Sequence, residues 1–134
     1  MSRNPEKLRV FHLADTLLID VYGATSAFPP DERYGLRAQI RRAAVSTATN
    51  IVEGSARRTT KEYASFLNVA AGSAAETRYL IRVSHRLGFL SGELGEPLVA
   101  RYTELLKGLL RLSQTLGGLE RSTARESQSP KPRA

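Results

Sequence analysis

The sequence has no cysteine and only two histidines among its 134 residues, and both shortages exclude kinds of site. Without cysteine the chain cannot form disulfides or thiolate metal sites. His12 and His85 fall in different helices, and neither follows a glutamate by three positions, as the ligands of di-iron bundles do. Glycine-rich phosphate loops, nucleophile elbows and zinc-protease motifs are also missing. The sequence therefore predicts no catalytic, cofactor-binding or metal-binding residue, and we expect a protein that is not an enzyme.

Long hydrophobic runs are missing as well. No apolar stretch approaches the length of a membrane-spanning helix. The first 20 residues contain Glu6, Asp15 and Asp20 and have no continuous apolar centre, so we expect no secretory signal. These features predict a cytoplasmic protein with no membrane partner. Peripheral membrane association through a basic tail is the weaker alternative.

Negative charge is scarce, because 13 acidic residues face 20 basic ones and the net charge is +7. The excess is confined to residues 31–90 and 121–134, whereas residues 1–30 are neutral and residues 91–120 are slightly acidic. A basic surface favours polyanionic partners, first among them nucleic acid, either RNA or DNA. The alternative is that the positive charge only keeps the protein soluble.

The sequence is rich in the apolar spacing of helices. Apolar residues recur at intervals of three and four in four segments, and no strand pattern is present. The predicted helices cover about residues 5–28, 36–53, 59–87 and 94–116. Their short connections predict an all-α fold, an antiparallel up-down-up-down four-helix bundle formed by residues 1–120. Residues 121–134 are polar and basic and are predicted to be a disordered tail.

Residues typical of helix ends support these bounds. Asn4 and Ser91 are predicted caps, and Thr59 forms a capping box with Glu62. The glycines expected to end helices are Gly54, as a left-handed stop, Gly88, and the pair Gly117-Gly118. The last helix is so rich in leucine that it is either deeply buried or has a second apolar face that joins subunits.

Nine basic residues form the candidate nucleic-acid site. Six of them are spaced four apart in two rows, so each row shares one side of a helix. The rows are Arg33, Arg37 and Arg41 in one segment and Arg78, Arg82 and Arg86 in the next, and Arg57, Arg58 and Lys61 cluster at the turn between them. Antiparallel packing places the two rows at a similar height, where they can form one phosphate-binding patch. The alternative is ordinary solvated helix surface.

A second polar set lies on the flank of the same two helices. Its members are Arg42, Ser46, Asn50, Glu53 and Glu76. We predict that they form a half-buried network that fixes the register of the two helices and performs no chemistry, as polar groups inside bundles often do.

Several short segments of the chain, taken together and in order, resemble one protein family. Among them are Gln-Ile-Arg-Arg-Ala-Ala at 39–44, Asn-Ile-Val-Glu-Gly at 50–54 and Leu-Gly-Phe-Leu at 87–90. Over about residues 8–116 the chain resembles the four-helix-bundle family also called 23S rRNA intervening-sequence proteins. Members of that family commonly have a proline in the second helix where this chain has Ala48, so a kink there is not carried over.

The resemblance implies a bacterial, cytoplasmic bundle that assembles as a ring, typically a homopentamer. Some relatives are encoded inside intervening sequences of ribosomal RNA genes, and a similar bundle serves reverse transcriptases of retroelements, binding nucleic acid and the polymerase. It implies no catalytic residue. We therefore expect a homo-oligomeric, nucleic-acid-binding accessory protein. The alternative is a scaffold that holds a partner polypeptide, such as a polymerase, and has no nucleic-acid role.

Overall fold

The computed structural model describes Asn4 and residues 8–128, with residues 119–121 and 123–128 described by their backbone alone. The helices are α1 (Arg9–Thr25), α2 (Leu36–Ser55), α3 (Thr60–Arg86) and α4 (Gly92–Gln128), with a 3-10 turn at Pro30–Glu32 between the first two. No strand occurs in this part of the chain. The predicted all-α four-helix bundle is therefore confirmed.

Each helix packs against two neighbours, in the cyclic order α1, α2, α3, α4. The Ser46 and Ser73 hydroxyls are 2.9 Å apart, and Gly54 meets Phe66, so residue numbers rise along α2 as they fall along α3. Neighbouring α2 and α3 are therefore antiparallel. In a ring of four helices the α1–α2 contact and the α3–α4 contact lie on opposite sides, and this separates the two grooves described below.

The core lies where the four helices meet. Its largest fully buried apolar side chains are Leu17, Val21, Ile40, Ile51, Tyr63, Leu67, Ile81, Tyr102, Leu105 and Leu109. Full burial of such a side chain contributes about 1.5–3 kcal/mol. The leucines of α4 divide between two environments, because Leu105 and Leu109 are in the core while Leu94 and Leu110 are exposed.

The α2–α3 contact is close at Gly54, which is buried inside α2. A Cβ atom at this position would lie 2.8 Å from the Cβ of Phe66, closer than real side chains approach. The prediction that Gly54 ends the helix as a left-handed stop was wrong, since α2 continues to Ser55. In the described residues only Gly88 has a positive φ. Close packing, and not backbone freedom, is what requires glycine at this position.

Three predicted helix ends are confirmed. The Thr59 hydroxyl accepts a hydrogen bond from the Glu62 N–H at 3.1 Å and caps α3. The Ser91 hydroxyl accepts one from the Leu94 N–H at 3.2 Å and caps α4. Gly88, with a φ of +81°, follows α3 and makes the left-handed turn toward α4.

The start of α1 and the end of α4 differ from the prediction. The first helical residue described is Arg9, preceded by Leu8, whose side chain makes no capping hydrogen bond. Asn4 is not helical, and Pro5 lies outside the described residues. At the other end, α4 does not stop at the glycine pair 117–118 and continues to Gln128.

The continuation of α4 has a simple physical reason. A glycine costs only about 1 kcal/mol in a helix, and residues 119–128 are mostly good helix formers with no proline. The predicted division between the bundle and a tail at residue 121 stays a prediction. The backbone is helical as far as Gln128, and residues 129–134 of that tail lie outside the described part of the chain.

Candidate nucleic-acid interface

A groove between α1 and α2 brings together four arginines and two tyrosines. We call it the arginine groove, and its lining residues are Tyr22, Arg33, Tyr34, Arg37, Ala38, Arg41, Arg42 and Val45. Its volume is about 460 Å³, and no acidic side chain is among the lining residues. The groove therefore combines a concentration of positive charge with exposed aromatic rings.

The segment before α2 places two of these residues at the mouth of the groove. Pro29 and Pro30 lead into the 3-10 turn, and Arg33 and Tyr34 follow it directly. The Glu32 carboxylate accepts a hydrogen bond from the Leu36 N–H at 2.9 Å, so this acidic group caps the start of α2. The Glu32 carboxylate, which precedes Arg33 in the sequence, is thus hydrogen-bonded to the backbone of α2.

Arg41 is held by the protein itself. Its Nε donates to the Thr25 hydroxyl at 2.9 Å, and its Nη2 donates to the Tyr22 carbonyl oxygen at 3.1 Å. Its guanidinium carbon lies 4.4 Å from the centroid of the Tyr22 ring. A cation at this position satisfies a carbonyl of the last turn of α1 and suits the negative end of the helix dipole. Arg41 therefore joins α2 to the end of α1.

The remaining arginines of the groove are available to a ligand. Arg33 and Arg42 are exposed and Arg37 is half-buried. The guanidinium groups of Arg37 and Arg42 make no hydrogen bond or ion pair among the described residues. The Arg33 guanidinium carbon lies 5.5 Å from the centroid of the Tyr34 ring, which is 86% exposed. Three guanidinium groups and one open aromatic ring thus face solvent at this groove.

The second arginine row faces the opposite side of the bundle. Arg78 Nη1 donates to the Thr103 hydroxyl of α4 at 3.1 Å. Arg82 and Arg86 line a groove between α3 and α4, which we call the α3–α4 groove. Its other lining residues are Ile81, His85, Gly95, Glu96, Val99 and Ala100. The floor of this groove is therefore largely apolar and its rim holds one carboxylate.

The structure does not bring the two predicted rows together in one patch. Arg41 precedes Ser46 by five residues and Arg78 follows Ser73 by five, so the Ser46–Ser73 contact places them at the same height, as expected. However, the first row turns toward α1 and the second toward α4. Sequence spacing gives the height of a residue along two paired helices, but the neighbouring helix determines the side that it faces.

The predicted cluster at the α2–α3 turn consists of Arg57, Arg58 and Lys61, and all three side chains are exposed. The Arg57 guanidinium carbon lies 4.6 Å from the centroid of the Phe66 ring. This cluster lies at the end of α2 that is remote from the arginine groove, since the groove is lined by the first half of that helix. It is therefore a separate basic surface.

The predicted polar network is smaller than expected and has a different membership. The Asn50 amide donates to the Ser46 carbonyl oxygen at 2.8 Å and to the Ser46 hydroxyl at 3.1 Å. The Ser46 hydroxyl is also hydrogen-bonded to the Ser73 hydroxyl. Glu53 and Glu76 are exposed, and their carboxylates make no hydrogen bond among the described residues. Arg42, predicted to belong to this network, lines the arginine groove instead. That the remaining contacts fix helix register stays a prediction.

The side chain of His85 has a structural contact. His85 Nδ1 lies 2.9 Å from the Leu90 carbonyl oxygen and joins the end of α3 to the following turn. Within the described residues no cluster of three histidine or carboxylate side chains could hold a metal ion. Over the same residues, no helix combines the length and apolarity that a membrane crossing requires.

Sequence reasoning missed the aromatic part of the arginine groove. Tyr22 and Tyr34 fall in separate segments of the chain, and only the packing of α1 on α2 brings them to the same groove. The one available signal was the Arg33-Tyr34 pair, in which a large aromatic follows a turn rather than occupying an apolar helix position.

Comparison with known proteins gives a consistent result. The chain is similar in fold to a crystal structure of a protein of unknown function from the S23 ribosomal protein family of Bacteroides thetaiotaomicron. The TM-score is 0.72 at 21% identity, and the match covers 78% of this chain and 97% of that one. A comparison with curated proteins gives no match. The model of the 23S rRNA-intervening sequence protein family matches residues 6–111, so the chain belongs to that family.

Proposed function

We propose that this protein is a non-enzymatic, homo-oligomeric accessory protein of the cytoplasm that binds nucleic acid, RNA or structured DNA. The observation that carries the proposal is the arginine groove, in which Arg33, Arg37 and Arg42 face solvent with no carboxylate in the lining. Guanidinium forks match the geometry of phosphate oxygens, and phosphate contacts provide affinity without reading sequence. The name of the family refers to ribosomal RNA, which fits such a partner.

Self-association is part of the proposal. Ile19 and Leu94 are 67% and 53% exposed and line one groove between α1 and α4, together with Pro97. An apolar surface of this kind is available for a second copy of the chain. A ring repeats the arginine groove in every subunit, so individually weak phosphate contacts add up through avidity.

Native mass spectrometry tests the oligomer. We expect a closed ring, with five subunits as the leading number, and we expect Ile19→Asp together with Leu94→Asp to dissociate it. A wild-type protein that is monomeric at micromolar concentration would contradict the homo-oligomer. A stable ring in the double variant would show that the subunits meet elsewhere.

A salt titration of RNA binding tests the nucleic-acid proposal. Fluorescence anisotropy with a labelled RNA should show affinity that falls steeply from low to physiological salt, because each neutralised phosphate contributes about 0.7–0.9 to the slope. Arg37→Ala with Arg42→Ala should weaken binding about 10-fold or more at low salt and flatten the slope by about 1.4–1.8.

The matched control removes two equally unpartnered arginines from the opposite side of the bundle. Arg82→Ala with Arg86→Ala lowers the net charge by the same amount but leaves the arginine groove intact. We expect a much smaller loss of affinity in this variant. Equal losses in both variants would mean that net charge and not the groove governs binding, and salt-independent binding would contradict the proposal as a whole.

A scaffold for a partner polypeptide is the second candidate, and the α3–α4 groove is what favours it. Its floor includes Ile81, Val99 and Ala100, and its volume is about 360 Å³. Such an apolar groove suits side chains of another protein better than phosphate. A pull-down from the native host that recovers a polypeptide after nuclease treatment, and loses it with Val99→Asp, would favour this candidate.

A further inference from the structure

We propose that the arginine groove binds single-stranded nucleic acid, with an unpaired base stacked on the ring of Tyr34 and the flanking phosphates on Arg37 and Arg42. The inference rests on the proposed function and narrows its ligand from nucleic acid in general to unpaired segments of RNA or DNA. It follows from three properties of the groove: the exposure of Tyr34, the position of Tyr22, and the available arginines.

Tyr34 is the most exposed of the five tyrosines of this protein. The rings of Tyr63 and Tyr102 are fully buried in the core, whereas Tyr34 is 86% exposed at the mouth of the arginine groove. A large aromatic ring in water gains nothing for the fold. Arg33 lies over at most one face of this ring, so the other face is open to a planar partner.

Tyr22 supplies a second ring within the same groove, and the protein holds it in position. The Arg41 guanidinium lies 4.4 Å from its centroid and is itself fixed by hydrogen bonds to the Thr25 hydroxyl and the Tyr22 carbonyl oxygen. The ring therefore lies in a wall that is already ordered before a ligand arrives. A preordered wall reduces the entropy that binding must remove.

Aromatic rings and guanidinium groups together match a single strand better than a duplex. In a duplex the faces of the bases are stacked inside, so a protein reaches only phosphates and base edges. In a single strand the base faces are free, and stacking on an aromatic side chain adds to the phosphate contacts for every base type. In a duplex the Tyr34 ring finds no free base face to stack on, whereas an unpaired base offers one.

The spacing of the arginines suits a chain that follows α2. Arg37 and Arg42 are five residues apart, a rise of about 7.5 Å along the helix. Arg33 lies four residues before Arg37, between the 3-10 turn and the start of α2, at the mouth of the groove. All four arginines line the same groove, so a short run of nucleotides can be contacted at more than one phosphate.

The test compares one labelled oligonucleotide as a single strand and as a duplex with its complement, in RNA and in DNA versions, by fluorescence anisotropy. We expect wild-type protein to prefer the single strand. Tyr34→Ala should weaken single-strand binding about 10-fold, within the range measured for loss of one stacked base, and should leave duplex binding unchanged. Tyr34→Phe should bind like wild type because it retains the ring.

Tyr79 provides the matched control. It is 60% exposed on α3 and is not in the groove, so Tyr79→Ala removes another exposed ring from a different face. We expect no effect of this change on single-strand binding. Circular dichroism of each variant checks that the fold is retained.

The outcomes separate this inference from the proposed function. Equal affinity for single strand and duplex, with no effect of Tyr34→Ala in either RNA or DNA, would overturn the single-strand site while leaving salt-dependent binding through the arginines in place. If the Arg37→Ala, Arg42→Ala variant lost binding while Tyr34→Ala bound like wild type, the single-strand site would likewise be overturned and binding through the arginines would stand. An absence of any binding by wild-type protein would overturn both.

Discussion

The arginine groove and the α3–α4 groove lie on opposite sides of the same helix pair, and each is lined by arginines that are four residues apart in the sequence. In the first groove the arginines are joined by Tyr22 and Tyr34 and by no acidic residue. In the second they border an apolar floor and share the rim with Glu96. The same sequence spacing of arginines thus accompanies a basic, tyrosine-lined groove on one side and a mostly apolar groove on the other.

The difference arises from what the neighbouring helix presents. The last turn of α1 offers backbone oxygen atoms and an aromatic ring, which attract a guanidinium group. At the α3–α4 groove, α4 instead offers Gly95, Val99 and Ala100. The charge of an arginine row therefore does not by itself define its ligand, and the surroundings of each row decide it.

The largest expected effect on stability concerns the close α2–α3 contact, which lies between the two grooves. Gly54→Ala should lower the free energy of unfolding by about 2–3 kcal/mol, since the added methyl group overlaps Phe66 and overpacking has costs of this size. This loss should occur although alanine is the better helix former by about 1 kcal/mol. Urea unfolding followed by circular dichroism measures it.

Gly72→Ala is the control for that prediction. Gly72 lies within α3, and a Cβ atom there would have no neighbour within 4 Å. We expect this change to stabilise the protein by about 0.5–1 kcal/mol through helix propensity alone. If Gly54→Ala stabilised the protein as Gly72→Ala does, the close α2–α3 approach would be disproved.

A smaller effect is expected for the two arginines that join neighbouring helices, Arg41 between α2 and α1 and Arg78 between α3 and α4. Arg41→Ala should cost about 1–2 kcal/mol of stability, since it removes two hydrogen bonds and a cation–π contact at the end of α1. Arg78→Ala should cost about 0.5–1 kcal/mol, because Arg78 makes one hydrogen bond, to Thr103. Thermal unfolding of both variants measures the difference, and a larger loss for Arg78→Ala would reverse the comparison.

The smallest effect distinguishes a core tyrosine from the groove tyrosines. The Tyr102 hydroxyl is buried and has no hydrogen-bond partner among the described residues. Tyr102→Phe should therefore be neutral or should stabilise the protein by up to about 1 kcal/mol, since an unsatisfied buried hydroxyl is costly. The same change at Tyr34 should leave stability unaltered, because its ring is in water.

The pH dependence gives that prediction a second readout. Burial, aided by the charge of Asp20, raises the pKa of Tyr102 above its usual value near 10. The native state therefore keeps the Tyr102 proton at a pH where the unfolded state releases it. The contribution of this group to the free energy of unfolding is complete below about pH 10 and decreases above it. Tyr102→Phe should weaken that alkaline loss. An unchanged loss between about pH 9 and pH 11 would show that other groups cause it.

Sequence reasoning was most successful where the physics is local. The apolar spacing predicted four helices, and Thr59, Ser91 and Gly88 were correctly identified because capping and left-handed turns depend on a few adjacent residues. Gly54 was misread because a buried glycine and a helix-ending glycine look alike in sequence. The reason for a glycine at this position lies on α3, in Phe66.

The candidate site was only partly predictable for the same reason. The arginine rows were visible from their spacing, but the sequence could not show that Arg41 turns to α1 or that Arg42 leaves the predicted network for the groove. Tyr22 and Tyr34 are twelve residues apart and have no shared pattern. Only the placement of α1 against α2, which depends on the whole core, makes them part of one site.

The Arg41 contact also makes the last turn of α1 sensitive to the content of the groove. The same guanidinium group satisfies the Tyr22 carbonyl oxygen and faces the space where a phosphate would lie. A bound oligonucleotide that draws Arg41 away would leave that carbonyl with only the longer contact from the Thr25 hydroxyl at 3.4 Å, and amide hydrogen exchange near Thr25 would become faster. An oligonucleotide that leaves Arg41 in place would instead slow this exchange. The rate of amide hydrogen exchange at the end of α1 therefore indicates whether a bound strand displaces Arg41.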